Sequence, residues 1–280
     1  MLCTILLSFL PLAMQAPPAG QAAAEKSEPS AAQQAPAFAE QSICPVDGKA
    51  LANRNSFIDY EGMRIYHCGS DKCKKHLSSF PDKWLFALQR KKQAPENIQT
   101  TCAVSGSALK PEAVTIWMGN KSFKVNSEAC AKLFQKHPSY YADKLDGRGP
   151  QQECAVMGGD LKLKNAFAVQ GTRVDQCCAP CEKKWRKDPD KYFAKLTQAK
   201  VVLQPVHAKC AVAPDKAAKA MHFATYGSRR LYFSDDKART RFLLNPQAYL
   251  KKLPDLAIGA VPSKVPFPAP KKGSGKCPTP

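Results

Sequence analysis

The same series of residue types recurs four times along this chain, and this repetition restricts its fold more than any other feature. Each copy opens with a cysteine and continues with a glycine in a β-prone stretch, a basic residue two positions later, then a proline and, three residues beyond it, an aromatic. The prolines recur every 51 to 57 residues, which indicates a tandem array of small modules. Such a module rarely buries enough apolar surface to fold alone, so its cysteines are expected to be structural or chemical.

Similar residues occupy the repeated positions in all four copies. The opening cysteines are Cys44, Cys102, Cys154 and Cys210. The glycines are Gly62, Gly119, Gly171 and Gly227, and the basic residues are Arg64, Lys121, Arg173 and Arg229. The prolines are Pro81, Pro138, Pro189 and Pro246, and the aromatics are Trp84, Tyr141, Tyr192 and Tyr249. The glycines are expected at turns that need positive φ, and the aromatics on helix faces in the core.

The repeat divides the chain into four modules between two ends of different composition. Modules one to four are predicted at residues 41–95, 96–148, 149–199 and 200–254. Residues 1–16 are an apolar run that is too short to span a bilayer, and its small residues fit a secretory signal peptide. Residues 17–40 predict a flexible linker, and residues 255–280 a disordered, basic, proline-rich tail. The chain is therefore expected in the periplasm or secreted, with an uncleaved N-terminal membrane anchor as the alternative.

The net charge of +19 invites a nucleic-acid interpretation, which the distribution of charge does not favour. Lysine and arginine are spread over all four modules and the tail instead of forming one stripe. The charge is read as a solvated cationic exterior that can meet an anionic surface or another envelope protein, with no specific nucleic acid. The chain has no Ser-His-Asp pattern, no promising carboxylate pair and no phosphate-binding loop, so we do not expect an enzyme.

Module four has the clearest secondary-structure signals. Met221–Tyr226 and Arg230–Phe233 are β-prone and flank Gly227, which predicts a hairpin. Asp235 and its neighbours offer cap side chains for a helix, and a second short helix is predicted from Pro246 to Leu253. The other copies repeat this order. The predicted fold class is α+β, with tandem small modules, each a knuckle, a β-hairpin and two short helices, strung like beads.

The cysteines of modules one and three are placed to meet. Each of these modules has one thiol before the hairpin, one at the end of its second strand and one in the first turn of the following helix. The residues are Cys44, Cys68 and Cys73 in module one and Cys154, Cys177 and Cys181 in module three. Three such thiols can converge on one ion. Module two has Asn126 at the strand-end position, and module four has Ser234 and Ala238 at both later positions, so both are depleted in ligands.

Module one also carries a recognisable motif. Cys44-Pro-Val-Asp-Gly48, Tyr60-Glu-Gly-Met-Arg-Ile-Tyr-His-Cys68, Cys73, Pro81 and Trp84 resemble a YHS domain, which is closely related to the TRASH domain. The same frame recurs in more degenerate form in the other three copies, over about 200 residues. The resemblance implies treble-clef or ribbon-like metal-binding modules. It also implies that the six thiols just named are metal ligands.

The identity of the ion and of a fourth ligand stays open. Three thiolates suit Cu(I) or, with a further ligand, Zn(II). His67 or His76 is a candidate fourth ligand in module one, and Cys178 in module three. The expected function is therefore that of an exported protein that binds zinc or copper.

Two other interpretations of the thiols are possible. Structural disulfides persist in an oxidising compartment, and Cys102 with Cys130 is the best pair, in which case the chain is a noncatalytic envelope adhesion or scaffold protein. Thiol redox chemistry at Cys178-Ala-Pro-Cys181 is the third interpretation, although no βαβ pattern surrounds this motif.

Overall fold

The computed structural model describes residues 36–262, 264 and 266–270, and its helices and strands follow one recurring order. Four antiparallel hairpins are each followed by two short helices. The predicted signal peptide, residues 17–35 of the predicted linker and residues 271–280 of the predicted tail lie outside the described residues. The mixed α and β composition is confirmed, with eight helices and five small sheets in the described part of the chain.

The first two modules contain most of the short accessory strands. The elements up to the end of module one are β1 (Ala39–Glu40), β2 (Phe57–Tyr60), β3 (Met63–Tyr66), α1 (Asp71–Ser79), α2 (Pro81–Arg90) and β4 (Gln93–Ala94). Module two contains β5 (Glu96–Asn97), β6 (Val114–Met118), β7 (Lys121–Val125), α3 (Glu128–Lys136) and α4 (Pro138–Leu145). Strand β5 pairs with β3 and so extends the hairpin of module one to three strands, while β1 pairs in parallel with β4.

The last two modules have longer first strands. Module three contains β8 (Lys162–Val169), β9 (Thr172–Gln176), α5 (Pro180–Lys187) and α6 (Pro189–Gln198). Module four contains β10 (Lys219–Tyr226), β11 (Arg229–Phe233), α7 (Asp236–Leu244) and α8 (Pro246–Leu250). Helix α8 is shorter than the helix that the sequence predicts to Leu253. The difference has a physical reason, because Leu253 precedes a proline, and the residue before proline avoids helical backbone angles.

The hairpins reverse in two-residue turns that depend on glycine. Glu61 and Gly62 both have positive φ, 52° and 78°, which is the pattern of a type I′ turn. In the second hairpin only Gly119 has positive φ, 66°, as in a type II′ turn. A Cβ atom added to Gly62 would lie 2.8 Å from Cγ of Gln99. The turn of module one therefore packs too closely on module two for a larger residue.

Capping residues and prolines set where the helices begin. Ser70, Ser127 and Asp235 each accept a hydrogen bond from the backbone N–H three residues later, which starts α1, α3 and α7. The second helix of every module begins at its repeated proline, at a position where the missing N–H leaves no acceptor unsatisfied. The repeated prolines thus separate the two helices of each module.

Each module has an apolar cluster of its own beneath its hairpin. The centres are Leu85 in module one, Phe134 in module two, Trp185 in module three and Phe242 in module four, all of them buried. Tyr141 is buried as expected, whereas Trp84, Tyr192 and Tyr249 pack at the margins of their clusters. The module-two cluster also contains Met63, Phe223 and Tyr232 from modules one and four.

The modules are not separate beads, because buried ion pairs join three of them. Lys121 of module two donates to Glu61 (2.8 Å) and to Asp82 (3.0 Å) of module one. The second carboxylate oxygen of Asp82 accepts from the backbone N–H of Thr225 in module four, at 2.6 Å. These charged side chains are almost fully enclosed, and an enclosed charge is costly without its partner. The modules therefore pack against one another as one assembly.

Backbone hydrogen bonds join module three to module four. The backbone N–H of Leu203 donates to the carbonyl of Ser228 at 2.7 Å, and the N–H of Arg173 donates to the carbonyl of Gln204 at 2.9 Å. The segment at residues 203–204, at the start of module four, thus bonds to both hairpins. A second buried ion pair, between Arg230 and Asp143, joins module four to module two.

Both ends of the described chain contact the modules, which differs from the predicted linker and tail. Ala39–Glu40, in the predicted linker, form β1. In the predicted tail, Leu256 bridges to Ala168, and the ring of Phe267 stacks on Tyr232 with ring centroids 4.0 Å apart. Composition averaged over the tail missed these isolated apolar residues. None of the helices in the described residues is long and apolar enough to cross a membrane.

Candidate metal centres

Module one brings four donor atoms together, a set we call the module-one thiol group. It consists of the sulfurs of Cys44, Cys68 and Cys73 and a carboxylate oxygen of Asp47, all within 4.8 Å of one another. The three thiols are those that the sequence singles out. Asp47 was missed, although it stands three residues after Cys44 in the motif.

Three separate pieces of backbone position this group. The N–H of Cys44 donates to the carbonyl of Lys49 (2.8 Å) and the N–H of Gly48 donates to the carbonyl of Cys44 (2.9 Å), which closes a tight knuckle. Gly48 has a φ of 74°, so the knuckle requires its glycine. Cys68 follows β3, and Cys73 lies in the first turn of α1, where its N–H donates to Ser70. The hairpin thus brings distant cysteines to one point.

Asp47 and Cys68 are the donors that lose a proton most easily. The thiol of Cys44 donates a hydrogen bond to Asp47, which with the N–H of Lys49 lowers the pKa of Asp47 to about 2. The N–H and the hydroxyl of Ser70 lower the pKa of Cys68. Burial raises the pKa of Cys44 to about 12 and also raises that of Cys73. Without a cation the group thus favours one carboxylate and protonated buried thiols.

Module three contains a second set of donors, the module-three thiol group. The sulfurs of Cys154, Cys177 and Cys181 lie within 4.8 Å of one another. Cys181 is 3.7 Å from Cys154 and 3.8 Å from Cys177, sulfur to sulfur. Cys178 adds a fourth thiol, 3.3 Å from Cys181 and 3.7 Å from Cys177. The three predicted ligands are therefore brought together, while Cys178 is near Cys177 and Cys181 but lies outside the set of mutually close donors.

The backbone around this group is the same as in module one. The N–H of Cys154 donates to the carbonyl of Gly159 (2.9 Å), and the N–H of Gly158 donates to the carbonyl of Cys154 (2.8 Å). Gly158 has a φ of 74°, equal to that of Gly48. Helix α5 begins with Pro180 and places Cys181 in its first turn. The Cys-x-x-x-Gly spacing common to both knuckles was a sequence signal for this geometry.

The four thiols of module three differ in acidity. Burial opposes ionisation of Cys154, but the backbone N–H groups of Cys177 and Met157 outweigh it and lower its pKa. A hydrogen bond from the Cys181 thiol lowers the pKa of Cys178. Burial raises the pKa of Cys177 and of Cys181. Adjacent thiolates repel one another, so a bound cation would be needed for all of them to ionise.

The histidines proposed for module one are not part of its thiol group. His67 is buried, and its Nδ1 accepts a hydrogen bond from the N–H of Gly69 at 3.1 Å. His76 lies edge-on to Trp84, with ring centroids 6.3 Å apart. Asp47 occupies the position that a fourth ligand would take. In this module the prediction of a histidine ligand is therefore not supported by the geometry.

Modules two and four replace the missing thiols with hydrogen bonds. In module two the N–H of Asn126 donates to the sulfur of Cys102 at 3.4 Å. In module four the hydroxyl of Ser234 donates to the sulfur of Cys210 at 3.6 Å. Both cysteines are free thiols, so the disulfide that the sequence suggested between Cys102 and Cys130 is not formed. The knuckle remains in both modules without a metal-ligating set.

Comparison with protein-family models, with curated proteins and with solved structures finds no match to this chain. The functional argument therefore depends on the chemistry of the two thiol groups. Thiolates with a carboxylate or a further thiolate are donors that bind transition metal ions, and both groups can hold such an ion.

Proposed function

We propose that this chain is a noncatalytic metal-binding protein that acts in the periplasm or is secreted, and that it holds zinc or copper in modules one and three. One observation carries the proposal. In two modules, thiols from a knuckle, a strand end and a helix start meet within 4.8 Å. Chance burial of cysteines would not place the same three backbone positions together twice, while the other two modules have lost those thiols.

The two groups are suited to different ions. The module-one group offers three sulfurs and the oxygen of Asp47, a mixed set that suits Zn(II). The module-three group offers sulfur alone, with Cys178 beside the three predicted ligands, and soft thiolate sets favour Cu(I) as well as zinc. A mixed-metal protein with one ion in each group is the expected loaded state.

The knuckle, hairpin and helix start support the assignment of each module to the YHS or TRASH type, with a treble-clef-like arrangement. In a treble clef the ligands come from a knuckle and from the start of a helix, as Cys44 and Cys73 do here. We assign the ligands as Cys44, Cys68 and Cys73 in module one, joined by Asp47. In module three they are Cys154, Cys177 and Cys181, joined by Cys178.

The experiment is to purify the full chain without oxygen and to measure bound metal and free thiols together. We expect two ions per chain, one of them lost in Cys44→Ser and the other lost in Cys154→Ser. Cys210→Ser is the matched control, because Cys210 occupies the same knuckle position in a module without the other thiols, and it should keep both ions. A parent chain that binds no metal, or a Cys210→Ser variant that loses an ion, would contradict the proposal.

The same measurement tests the disulfide interpretation, and an assay of thiol–disulfide exchange tests the redox interpretation. A chain with its thiols oxidised in pairs and no metal would favour a disulfide-stapled scaffold, with another envelope protein or an anionic surface as its partner. Thiol–disulfide exchange that depends on Cys178 would favour redox chemistry instead. The free state of nine cysteines in the described residues favours metal binding over a disulfide framework.

A further inference from the structure

The basic residue two positions after each hairpin glycine has a carboxylate partner in three of the four modules. The pairs are Arg64 with Asp59 (2.9 Å), Lys121 with Glu61 (2.8 Å) and Arg173 with Asp175 (2.8 Å). Arg229 is the equivalent residue of module four, and no carboxylate in the described residues lies within 4.0 Å of it. The exception is notable because Arg229 is only 4% exposed.

The guanidinium of Arg229 is held by neutral groups. Its Nη1 donates to the side chain of Gln170, and its Nε donates to the carbonyl of Tyr226 at 3.4 Å. Its central carbon lies 4.2 Å from the ring centre of Phe193 and 5.3 Å from that of Tyr226. Burial lowers the pKa of Arg229 to about 10. Among the described residues the guanidinium forms no ion pair within 4.0 Å, and the more distant carboxylate of Asp190 offsets only part of the effect of burial.

Arg229 lines a cavity of about 740 Å³ to which all four modules contribute. Its apolar walls include Phe80, Phe193 and Tyr226. Three more cations line it, namely Lys75, Arg148 and Lys200. A cavity of this volume with apolar walls and a few charged groups matches those that hold small ligands.

The acidic residues of the cavity leave an excess of positive charge. Asp146 is paired with Arg148 at 2.6 Å and Asp59 with Arg64, so these carboxylates are already compensated. Asp190 forms no ion pair among the described residues and stabilises the charge of Arg229 only at longer range. Lys75, Lys200 and Arg229 thus outnumber the one remaining carboxylate of the lining, a balance that favours an anionic ligand.

We propose that this cavity binds a small organic anion, whose carboxylate or phosphate group pairs with Arg229 and whose body lies against Phe193 and Tyr226. The planar guanidinium fork matches both oxyanions, and a paired arginine in a desolvated site gives a strong hydrogen bond. The site shares no residue with the two thiol groups, so it stands or falls independently of the metal proposal.

The test uses the full chain and two probes, benzoate and inorganic phosphate, titrated by calorimetry. Benzoate carries a carboxylate on an aromatic body, while phosphate carries charge alone, so the two separate the contribution of the cavity walls. We expect benzoate to bind the parent chain and Arg229→Gln to weaken this binding at least about tenfold, the cost of losing a hydrogen bond to a charged group. Arg173→Gln is the matched control, because Arg173 has the same hairpin position but a carboxylate partner, and it should bind as the parent does.

A second variant keeps the test decisive if Arg229→Gln does not fold. Ala194→Trp places a large side chain at the exposed lining of the cavity and leaves Arg229 unchanged. It should abolish benzoate binding while the metal content stays that of the parent. The inference is overturned if neither probe binds the parent up to about 10 mM. It is also overturned if both the Arg229 and the Ala194 variants bind benzoate as the parent does.

Discussion

The two thiol groups share a backbone frame and differ in the fourth donor. In module one the fourth donor is Asp47, which comes from the knuckle turn. In module three the residue at the same place, three after the knuckle cysteine, is Met157, and the extra donor is Cys178 beside the helix start. A single turn position thus offers a hard oxygen in one module and leaves a set of sulfurs in the other. One backbone frame therefore presents two different sets of donor atoms.

The two groups also differ in how their modules are held. Module one is held by the buried network of Lys121, Glu61 and Asp82 in addition to the pairing of β5 with β3, whereas module three is held mainly by backbone bonds from the Leu203 segment. The strength of a buried ion pair depends on pH and on the presence of both charged side chains, while a backbone hydrogen bond depends on neither. This difference gives the largest effect that we expect.

Asp82→Asn should destabilise module one far more than module three. The variant leaves Lys121 with one carboxylate in place of two, and breaking a buried pair costs about 3–5 kcal/mol. Amide hydrogen exchange, measured module by module, should show lost protection in α1 and α2 and reduced metal retention by the module-one group. Asp59→Asn is the matched control, because its ion pair with Arg64 is partly exposed, and it should change little. Equal loss of protection in α5 and α6 would contradict the difference in anchoring.

Acid should separate the modules in the same way. Burial alone would raise the pKa of Asp82, but the charge of Lys121 and the N–H of Thr225 outweigh it and hold the pKa below its ordinary value. A carboxyl with a lowered pKa stabilises the fold above the pKa of the unfolded chain, near 4, and this stability is lost as the pH falls through the folded value. Module one should thus lose protection first below about pH 4. In Asp82→Asn this pH dependence should be smaller, and an unchanged profile would exclude Asp82 as its cause.

Cys178→Ser should weaken metal binding by the module-three group by about 10- to 100-fold. Cys178 lies 3.3 Å from Cys181, sulfur to sulfur, and is the proposed additional ligand of this group. A competition titration against a chelator of known affinity measures the change. His67→Gln in module one is the comparison, because His67 lies outside the thiol group, and it should leave zinc affinity unchanged. A lower zinc affinity in His67→Gln would indicate that His67 is a ligand after all.

Met157→Asp should give module three the donor that Asp47 supplies in module one. Met157 is 62% exposed, so the change places a carboxylate in the knuckle turn at little cost to the core. We expect the preference for Zn(II) over Cu(I) to rise about tenfold, since oxygen ligands favour the harder ion. Ser105→Asp makes the same change in the knuckle of module two, which lacks the other thiols, and should add no bound metal. An equal increase in bound metal in the two variants would mean that the added aspartate acts through its negative charge and not as a ligand of the thiol group.

The convergence of the six thiols could be predicted from the sequence, because equivalent cysteines in a repeat occupy equivalent backbone positions in every copy. Asp47 was missed because an acidic residue in a turn carries no periodic signal, and aspartate is common in turns for reasons unrelated to metal. The hairpins, caps and helix-starting prolines were predictable from local chemistry alone. The end of α8 was not, because its last turn competes with the proline that follows.

The burial of charge could not be read from the sequence. Lys121 and Arg64 occupy equivalent positions after their hairpin glycines, yet one is enclosed between modules and the other is partly exposed. Local patterns fix which side of a strand a residue faces, but the neighbour on that side is decided by the packing of whole modules. For the same reason, only the structure shows that Arg229 has no ion-pair partner among the described residues.

The contact of the Asp82 carboxylate with Lys121 on one side and Thr225 on the other has a consequence for the whole array. Open solenoids gain or lose copies at their ends because each copy touches only its neighbours. Here the last module supplies a hydrogen bond to the first, so removal of the fourth copy would strip Asp82 of an N–H and Asp143 of Arg230. Module four, although it lacks the thiol set, therefore supports the buried charges of modules one and two.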